Sequence, residues 1–175
     1  MPGRSRRLVL LRHAKAEPHG GVADELRRLT TVGTRQAGAV GAALRASGLV
    51  PELVLVSAAV RTQETWQHLA VGLGDEPAPE VVLSDALYAA HHEDVLDLVR
   101  ATDARVRTLL VVGHEPAMSV VATLLAGDGE PAHLAQVRSG LPTAAYAVLD
   151  LVGPWAELTR RAAVLTDVVR PAWDE

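Results

Sequence analysis

The chain has no cysteine and no phenylalanine, and its three tryptophans and two tyrosines bring aromatic content to only 3% of 175 residues. Without cysteine, disulfides, thiolate zinc sites, iron–sulfur ligation and cysteine nucleophiles are excluded. With so few rings there is no basis for base stacking, and the core has to be built from Ala, Val and Leu. Long apolar runs are missing too. None approaches the roughly 20 residues that span a bilayer, and the segment Met1–Arg7 leads into only a few apolar residues before Arg12, unlike a signal peptide. Neither sign of charge is concentrated: 17 basic residues stand against 21 acidic ones, a net charge of -4. No nucleic-acid surface and no membrane partner are therefore expected, and the lack of a targeting segment favours the cytoplasm.

What is present is an ordinary soluble composition, 49% hydrophobic and 22% charged, enough for one domain with a sizeable core. Leu8-Val9-Leu10-Leu11 reads as a strand covered on both faces, running straight into Arg12 and His13. A helix is expected over 32–47, with Ala37, Val40, Gly41 and Leu44 on one face, Thr30 or Thr31 as its N-cap, and Gly48 and Pro51 closing it. Leu53–Val56 is a second strand, after which Ser57 is expected to cap a helix with Ala59, Trp66, Leu69 and Ala70 on one face. Arg61 falls in the first turn of that helix, where the dipole favours anions. The mismatch makes sense if an anion binds there.

Val81–Leu83 is a short strand, His92–Ala101 a helix with Glu93 and Asp94 in its first turn, and Thr108–Val112 the clearest central strand. His114 follows it, before Pro116 and the apolar helix Ala117–Ala126, which Gly127 ends. Ala144–Leu149 reads as a strand and Gly153-Pro154 as a turn, while Trp155, Leu158, Ala162 and Leu165 fall at helical spacing. Residues 1–7 and 166–175 read as tails of a single domain. Strands alternating with helices indicate an α/β fold.

Several familiar motifs fail on context. Gly127–Ala132 matches a dinucleotide fingerprint as a string, but it follows a helix and contains Pro131, so it reads as a loop. His114-Glu115 opens like a metalloprotease helix, yet Met118 stands where the second histidine belongs, and no metal is expected. There is no phosphate-binding Gly-Lys-Ser/Thr loop and no strained serine turn. By contrast Arg12, His13, Arg61 and His114 all fall where a strand gives way to a helix, the edge at which α/β sheets bind ligands. Two guanidinium forks and two imidazoles suit a small tetrahedral dianion.

These segments resemble the histidine phosphatase superfamily, the fold family of the phosphoglycerate mutases, and within it the short SixA-like phosphohistidine phosphatases. Leu10–Ala16 resembles the Arg-His-Gly signature, with Ala14 in place of Gly, and Arg27–Gly33 the Arg-Pro-Leu-Thr segment, with Arg28 in place of Pro. Val56–Thr65 resembles the Ser-x-x-x-Arg-x-x-Gln-Thr block and Val112–Pro116 the distal Gly-His segment, so the likeness covers roughly residues 8 to 150. It implies a phosphoglycerate mutase-like, three-layer α/β/α sandwich whose mostly parallel sheet has one late antiparallel strand. Trp155–Leu165 becomes the candidate for that strand, against its periodicity.

The resemblance also implies a metal-independent phosphatase with no cofactor, in which His13 is the nucleophile and carries a covalent phosphohistidine. Arg12, Arg61 and His114 would stabilise the phosphoryl group. Asp85 stands where larger relatives carry an acid, and Lys15, Arg27 and Glu115 would surround the phosphate, with Arg28 on the rim. The expected substrate is a phosphorylated protein or a small phosphorylated metabolite, and the expected state a monomer or weak homo-oligomer. A mutase and a non-catalytic phospho-ligand binder are the alternative readings.

Overall fold

A computed structural model of the chain describes residues 5–75 and 77–173. Its strands are β1 (Arg6–Arg12), β2 (Leu53–Ser57), β3 (Glu80–Ser84), β4 (Thr108–Gly113), β5 (Ala126–Gly129), β6 (Tyr146–Leu151) and β7 (Ala163–Val169). The helices are α1 (Thr31–Ala46), α2 (Val60–Leu73), α3 (His92–Arg100), α4 (Ala117–Leu125) and α5 (Pro131–Ser139). Short 3-10 turns lie at Asp24–Leu26, Asp85–Leu87 and Trp155–Glu157.

Successive side chains of a strand point to opposite faces, and the unbroken apolar runs use both. Leu8, Leu10, Leu53, Leu55, Leu109 and Val111 belong to one buried cluster, with Val95 and Val99 of α3 and Met118, Val121 and Leu125 of α4. Val9, Leu11, Val54, Val56, Leu110 and Val112 belong to a second, with Ala37, Val40 and Leu44 of α1 and Leu69 and Leu73 of α2. Each fully buried Leu or Val contributes on the order of 1.5–3 kcal/mol relative to an exposed one. Helices on both faces of one sheet make the three-layer α/β/α sandwich.

The sheet order is β3-β2-β4-β1-β6-β7-β5. β1 pairs in parallel with β4, β4 with β2, and β2 with β3, whereas β6 is antiparallel to both β1 and β7. Register matters for the site: Arg12 lies opposite Gly113, so His13 and His114 leave adjacent strands side by side. The chain after β1 goes to α1 on one face and the chain after β4 goes to α4 on the other. Connections that diverge from neighbouring parallel strands open a crevice at their carboxyl ends.

The start of α1 is fastened to this crevice. Thr30 caps the helix, its Oγ1 accepting from the Gly33 amide at 3.0 Å, while its own amide donates to the Lys15 carbonyl at 2.9 Å. A Cβ on Gly33 would collide with that Lys15 oxygen, so the glycine lets the helix touch the segment just after His13.

Four expectations need correcting. The antiparallel strand is β6. Of Trp155–Leu165, the first three residues form a 3-10 turn and only Ala163–Leu165 is strand, because the buried Trp155 anchors by its indole N–H to the Val106 carbonyl at 2.9 Å. The tails are shorter than expected: β1 begins at Arg6 and β7 continues through Val169, pairing with Tyr146, while the expected tail residues 1–4 and 174–175 lie outside the described residues. Gly127–Ala132 is not a loop. It contains most of β5, paired in parallel with β7, and the first turn of α5, with Pro131 at the helix start where its missing N–H costs nothing. Finally, α2 is capped at Ala59, and Ser57 is used elsewhere.

Candidate active site

His13 is the first residue after β1, and only 9% of it is exposed. Its Nδ1 lies 2.7 Å from the Ala14 carbonyl. A carbonyl can only accept, so Nδ1 carries the proton and Nε2 keeps its lone pair. Burial, followed at a distance by the neighbouring Arg61 and Arg12 charges, lowers the His13 pKa to about 4. The ring is thus neutral near pH 7, with one defined nucleophilic nitrogen. The methyl group of Ala14, which replaces the signature glycine, is fully buried in the second core cluster, and the Ala14 amide donates to Thr65 Oγ1 at 3.0 Å.

Arg12 donates from Nη1 to the Leu141 carbonyl at 2.9 Å, and Arg61, with its side chain 8% exposed, enters from the first turn of α2. Among the described residues the Nε atoms of both arginines are buried with no hydrogen-bond partner, so each guanidinium has donor capacity that these residues leave unused. His114 follows β4, and its ring centroid lies 5.4 Å from that of His13 in an edge-on arrangement. Arg61 Nη2 is 3.5 Å from His114 Nδ1. A guanidinium only donates, so His114 Nε2 holds the proton and gives it to Ser57 Oγ at 2.8 Å. Burial, then the nearby His13 and Arg61, lower the His114 pKa to about 3. Ser57, read in the sequence as a helix cap, is instead the group that orients this second imidazole.

One residue at the centre of the site was not anticipated. Asp24, in the turn between β1 and α1, accepts from Arg61 Nη2 at 3.1 Å and Arg27 Nε at 2.9 Å, and from the Tyr88 hydroxyl at 2.6 Å. Its backbone carbonyl accepts Arg61 Nη1 at 2.8 Å. The Tyr88 hydrogen bond, with Arg61 and Arg27 behind it, holds the Asp24 carboxyl well below the usual carboxylate range. The Tyr88 ring in turn stands edge-on to His114, with centroids 5.9 Å apart. No regular pattern surrounds Asp24 in the sequence; its position three residues before the Arg27–Gly33 segment was the available signal.

The remaining expected groups divide. Arg27 does reach the cluster, through Asp24 and the Glu17 carbonyl. Lys15 is exposed, and its backbone rather than its ammonium is engaged, donating to Gln36 Oε1 at 2.9 Å. Arg28 is turned outward onto Glu64 at 2.8 Å. Glu115, expected beside the phosphate, has its carboxylate occupied by the Ser119 amide and hydroxyl and by the Leu141 amide, tying the 140–141 segment to the start of α4. Asp85 is exposed, and among the described residues its side chain has no hydrogen-bond or ion-pair partner; Tyr88, three residues on, is the member of that turn that faces the site. Among the described residues no three His, Asp or Glu side chains are grouped as a metal ion needs, and no helix is long and apolar enough to cross a membrane.

No family model matches the chain. It is 37% identical over 157 residues to the uncharacterized protein Rv1276c of Mycobacterium tuberculosis, covering 89% of this chain and 96% of the relative. Among solved structures it is similar to a protein proposed to be the phosphohistidine phosphatase SixA of Nakamurella multipartitia, with 31% identity, TM-score 0.80, and 98% and 99% of the two chains covered. A corresponding protein of Agrobacterium tumefaciens gives 30% identity and TM-score 0.79 over 98% of this chain and 99% of that one. The chain belongs to the histidine phosphatase superfamily, in its SixA-like group, and is a phosphatase.

Proposed function

We propose that the chain removes phosphate from phosphohistidine on a protein partner in the cytoplasm, passing the phosphoryl group through His13. The observation that carries this reading is the defined His13 tautomer: a neutral ring with its Nε2 lone pair free, beside His114 and the guanidinium groups of Arg12 and Arg61. In the first step His13 Nε2 bonds to phosphorus as the bond from phosphorus to the substrate nitrogen breaks, and the departing imidazole, already carrying a proton on its second nitrogen, leaves neutral. In the second, water adds to phosphorus, the bond to Nε2 breaks with its electron pair returning to the neutral ring, and inorganic phosphate leaves carrying the protons of the water or passing one to solvent. Splitting one displacement into two is what covalent catalysis contributes. Arg12, Arg61 and His114 stabilise charge on the equatorial oxygens. A bound dianion also favours the imidazolium form of His114, whose added N–H then donates a hydrogen bond to a phosphoryl oxygen.

The choice of phosphohistidine over an ester rests on the carboxyl groups. An alkoxide needs a proton donor as it leaves. Asp24 is held ionised, Glu115 accepts from three donors, and Asp85 is exposed with no partner among the described residues. An imidazole leaving group, protonated on its second nitrogen, departs without such an acid.

The test uses a histidine-containing peptide phosphorylated by phosphoramidate, with p-nitrophenyl phosphate as the ester comparison and EDTA present throughout. The phosphopeptide is expected to turn over at least about tenfold faster, and acid-labile phosphate is expected to be trapped on the wild-type chain but not on His13→Ala, whose turnover falls by roughly a thousandfold or more. Full activity in His13→Ala would overturn the route. A preference for the ester would overturn the substrate class.

A further inference from the structure

Asp24 is used by no step of the reaction above, yet it makes more contacts with the site than any other acidic group. A carboxylate beside an anion site opposes anion binding unless its charge is taken up. Here Arg27 and Tyr88 take it up, from the loop after β1 and from the turn after β3, and so fix the carboxylate from two parts of the fold. Asp24 then grips Arg61 at two points, its carboxylate on Nη2 and its backbone carbonyl on Nη1. We infer that Asp24 is a positioning residue, holding the plane of the Arg61 guanidinium in the orientation that receives the transferred phosphoryl group. The inference rests on the reading of Arg61 as a phosphoryl ligand.

The physical reason is the length of the arginine side chain. Its rotamer freedom is large, and bidentate recognition of phosphate depends on the plane of the fork as well as its charge. Arg61 starts in the first turn of α2, and among the described residues the one polar side-chain contact of its guanidinium besides Asp24 is the 3.5 Å approach to His114. Two bonds from one residue remove rotation about the end of the side chain and leave the Nη2 side near His114. Displacing a positioning group by about 1 Å can cost on the order of a hundredfold in rate.

The test is a double-mutant cycle on p-nitrophenyl phosphate hydrolysis, with inorganic phosphate binding measured alongside. Asp24→Asn keeps the shape and removes the charge. Its kcat is expected to fall roughly 10- to 100-fold with KM changed less than about threefold. In an Arg61→Ala background the same substitution is expected to change kcat by less than about twofold, because the group it orients is gone. A carboxylate serving only to hold the loop would give equal losses in both backgrounds, and that result overturns the inference. So does unchanged kcat, or faster turnover, which would mean Asp24 competes with phosphate for Arg61. If Asp24→Asn does not fold, Tyr88→Phe, which loosens the carboxylate without removing it, carries the same cycle with an expected fall of about threefold and the same disappearance in Arg61→Ala. Should Arg61→Ala itself leave kcat and phosphate binding intact, the phosphatase reading of the site fails. If Arg61→Ala lowers both and Asp24→Asn lowers neither, only the role of Asp24 fails.

Discussion

The site is assembled from two kinds of region, and they are built on different physics. The carboxyl ends of β1, β2 and β4 deliver His13, Ser57 and His114 from strands with fully buried neighbours, and their positions follow from sheet register. The 17–28 segment delivers Asp24 and Arg27 from a loop with no buried residue, where Val22 and Leu26 are more than half exposed. Buried apolar rows place the first set whether or not a ligand is bound. Hydrogen bonds to Arg61 and Tyr88 place the second. Changes on the strand side should therefore alter chemistry and stability together through burial, whereas changes in the loop should alter chemistry with little effect on the core.

His114 offers the sharpest way to break that contrast. If it supplies charge stabilisation and a hydrogen bond at the phosphoryl group, His114→Ala is expected to lower kcat by about a hundred- to a thousandfold, the range for removing one such donor. Because its ring is only partly buried, the fold should survive, and circular dichroism melts alongside steady-state rates would check both. Activity within tenfold of wild type would leave Ser57 orienting an imidazole with no chemical task.

Titration separates the two regions by the pH window in which each acts. His13 and His114 are pushed down to about 4 and about 3 by burial, from an unfolded value near 6.5. Above about pH 6.5 both rings are neutral folded or unfolded and contribute no pH dependence. As pH falls from there toward 4 the unfolded chain takes up protons that the folded chain refuses, so stability drops, by up to about 2.7 kcal/mol per pH unit for two such groups. Asp24 is displaced in the same direction but acts in a lower window: its carboxyl is already ionised between about pH 6.5 and 4.5, and its stabilising contribution is lost only as pH falls further, through the ordinary carboxylate range and below. Urea titrations between about pH 7.5 and 4.5 should show the slope in the wild type and lose most of it in the His13→Ala, His114→Ala double variant. A slope unchanged in that variant would place the sensitivity elsewhere.

The same contrast explains what could be read in the sequence. Apolar runs such as Leu8–Leu11 and Leu109–Val112 can only be satisfied by burial on both faces, so the strands, and the Arg12-His13 and His114 positions after them, were legible. Thr30, one of two candidate caps, marked the start of α1 for an equally local reason, and its hydroxyl does accept from the Gly33 amide. The stretch from Ala126 to Ser139 was not legible: β5 is short, glycine-rich and partly exposed, and its strand character comes only from pairing with β7. Helical spacing in Trp155–Leu165 was misleading because Trp155 and Leu158 are buried from a turn rather than along one helix face. Asp24 carries no periodic signature at all, since its meaning lies in contacts 37 and 64 residues away in sequence.

The smallest expected effect lies at the rim, where Arg28 tests how far the functional part of the loop extends. In sequence it adjoins Arg27 and shares its charge, but the two diverge in space. Arg27 turns inward to Asp24, with 15% of its side chain exposed, whereas Arg28 turns outward to Glu64 with 77% exposed. An exposed ion pair contributes about 0–1 kcal/mol, and Glu64 retains its second anchor, the Leu29 amide at 2.8 Å. Arg28→Gln is therefore expected to change stability by less than about 0.5 kcal/mol and kcat/KM by less than about twofold on p-nitrophenyl phosphate. A larger loss of kcat/KM on a histidine-phosphorylated peptide alone would mean that the outward face of the loop contacts the protein bearing the phosphate, and would extend the functional surface past Arg27.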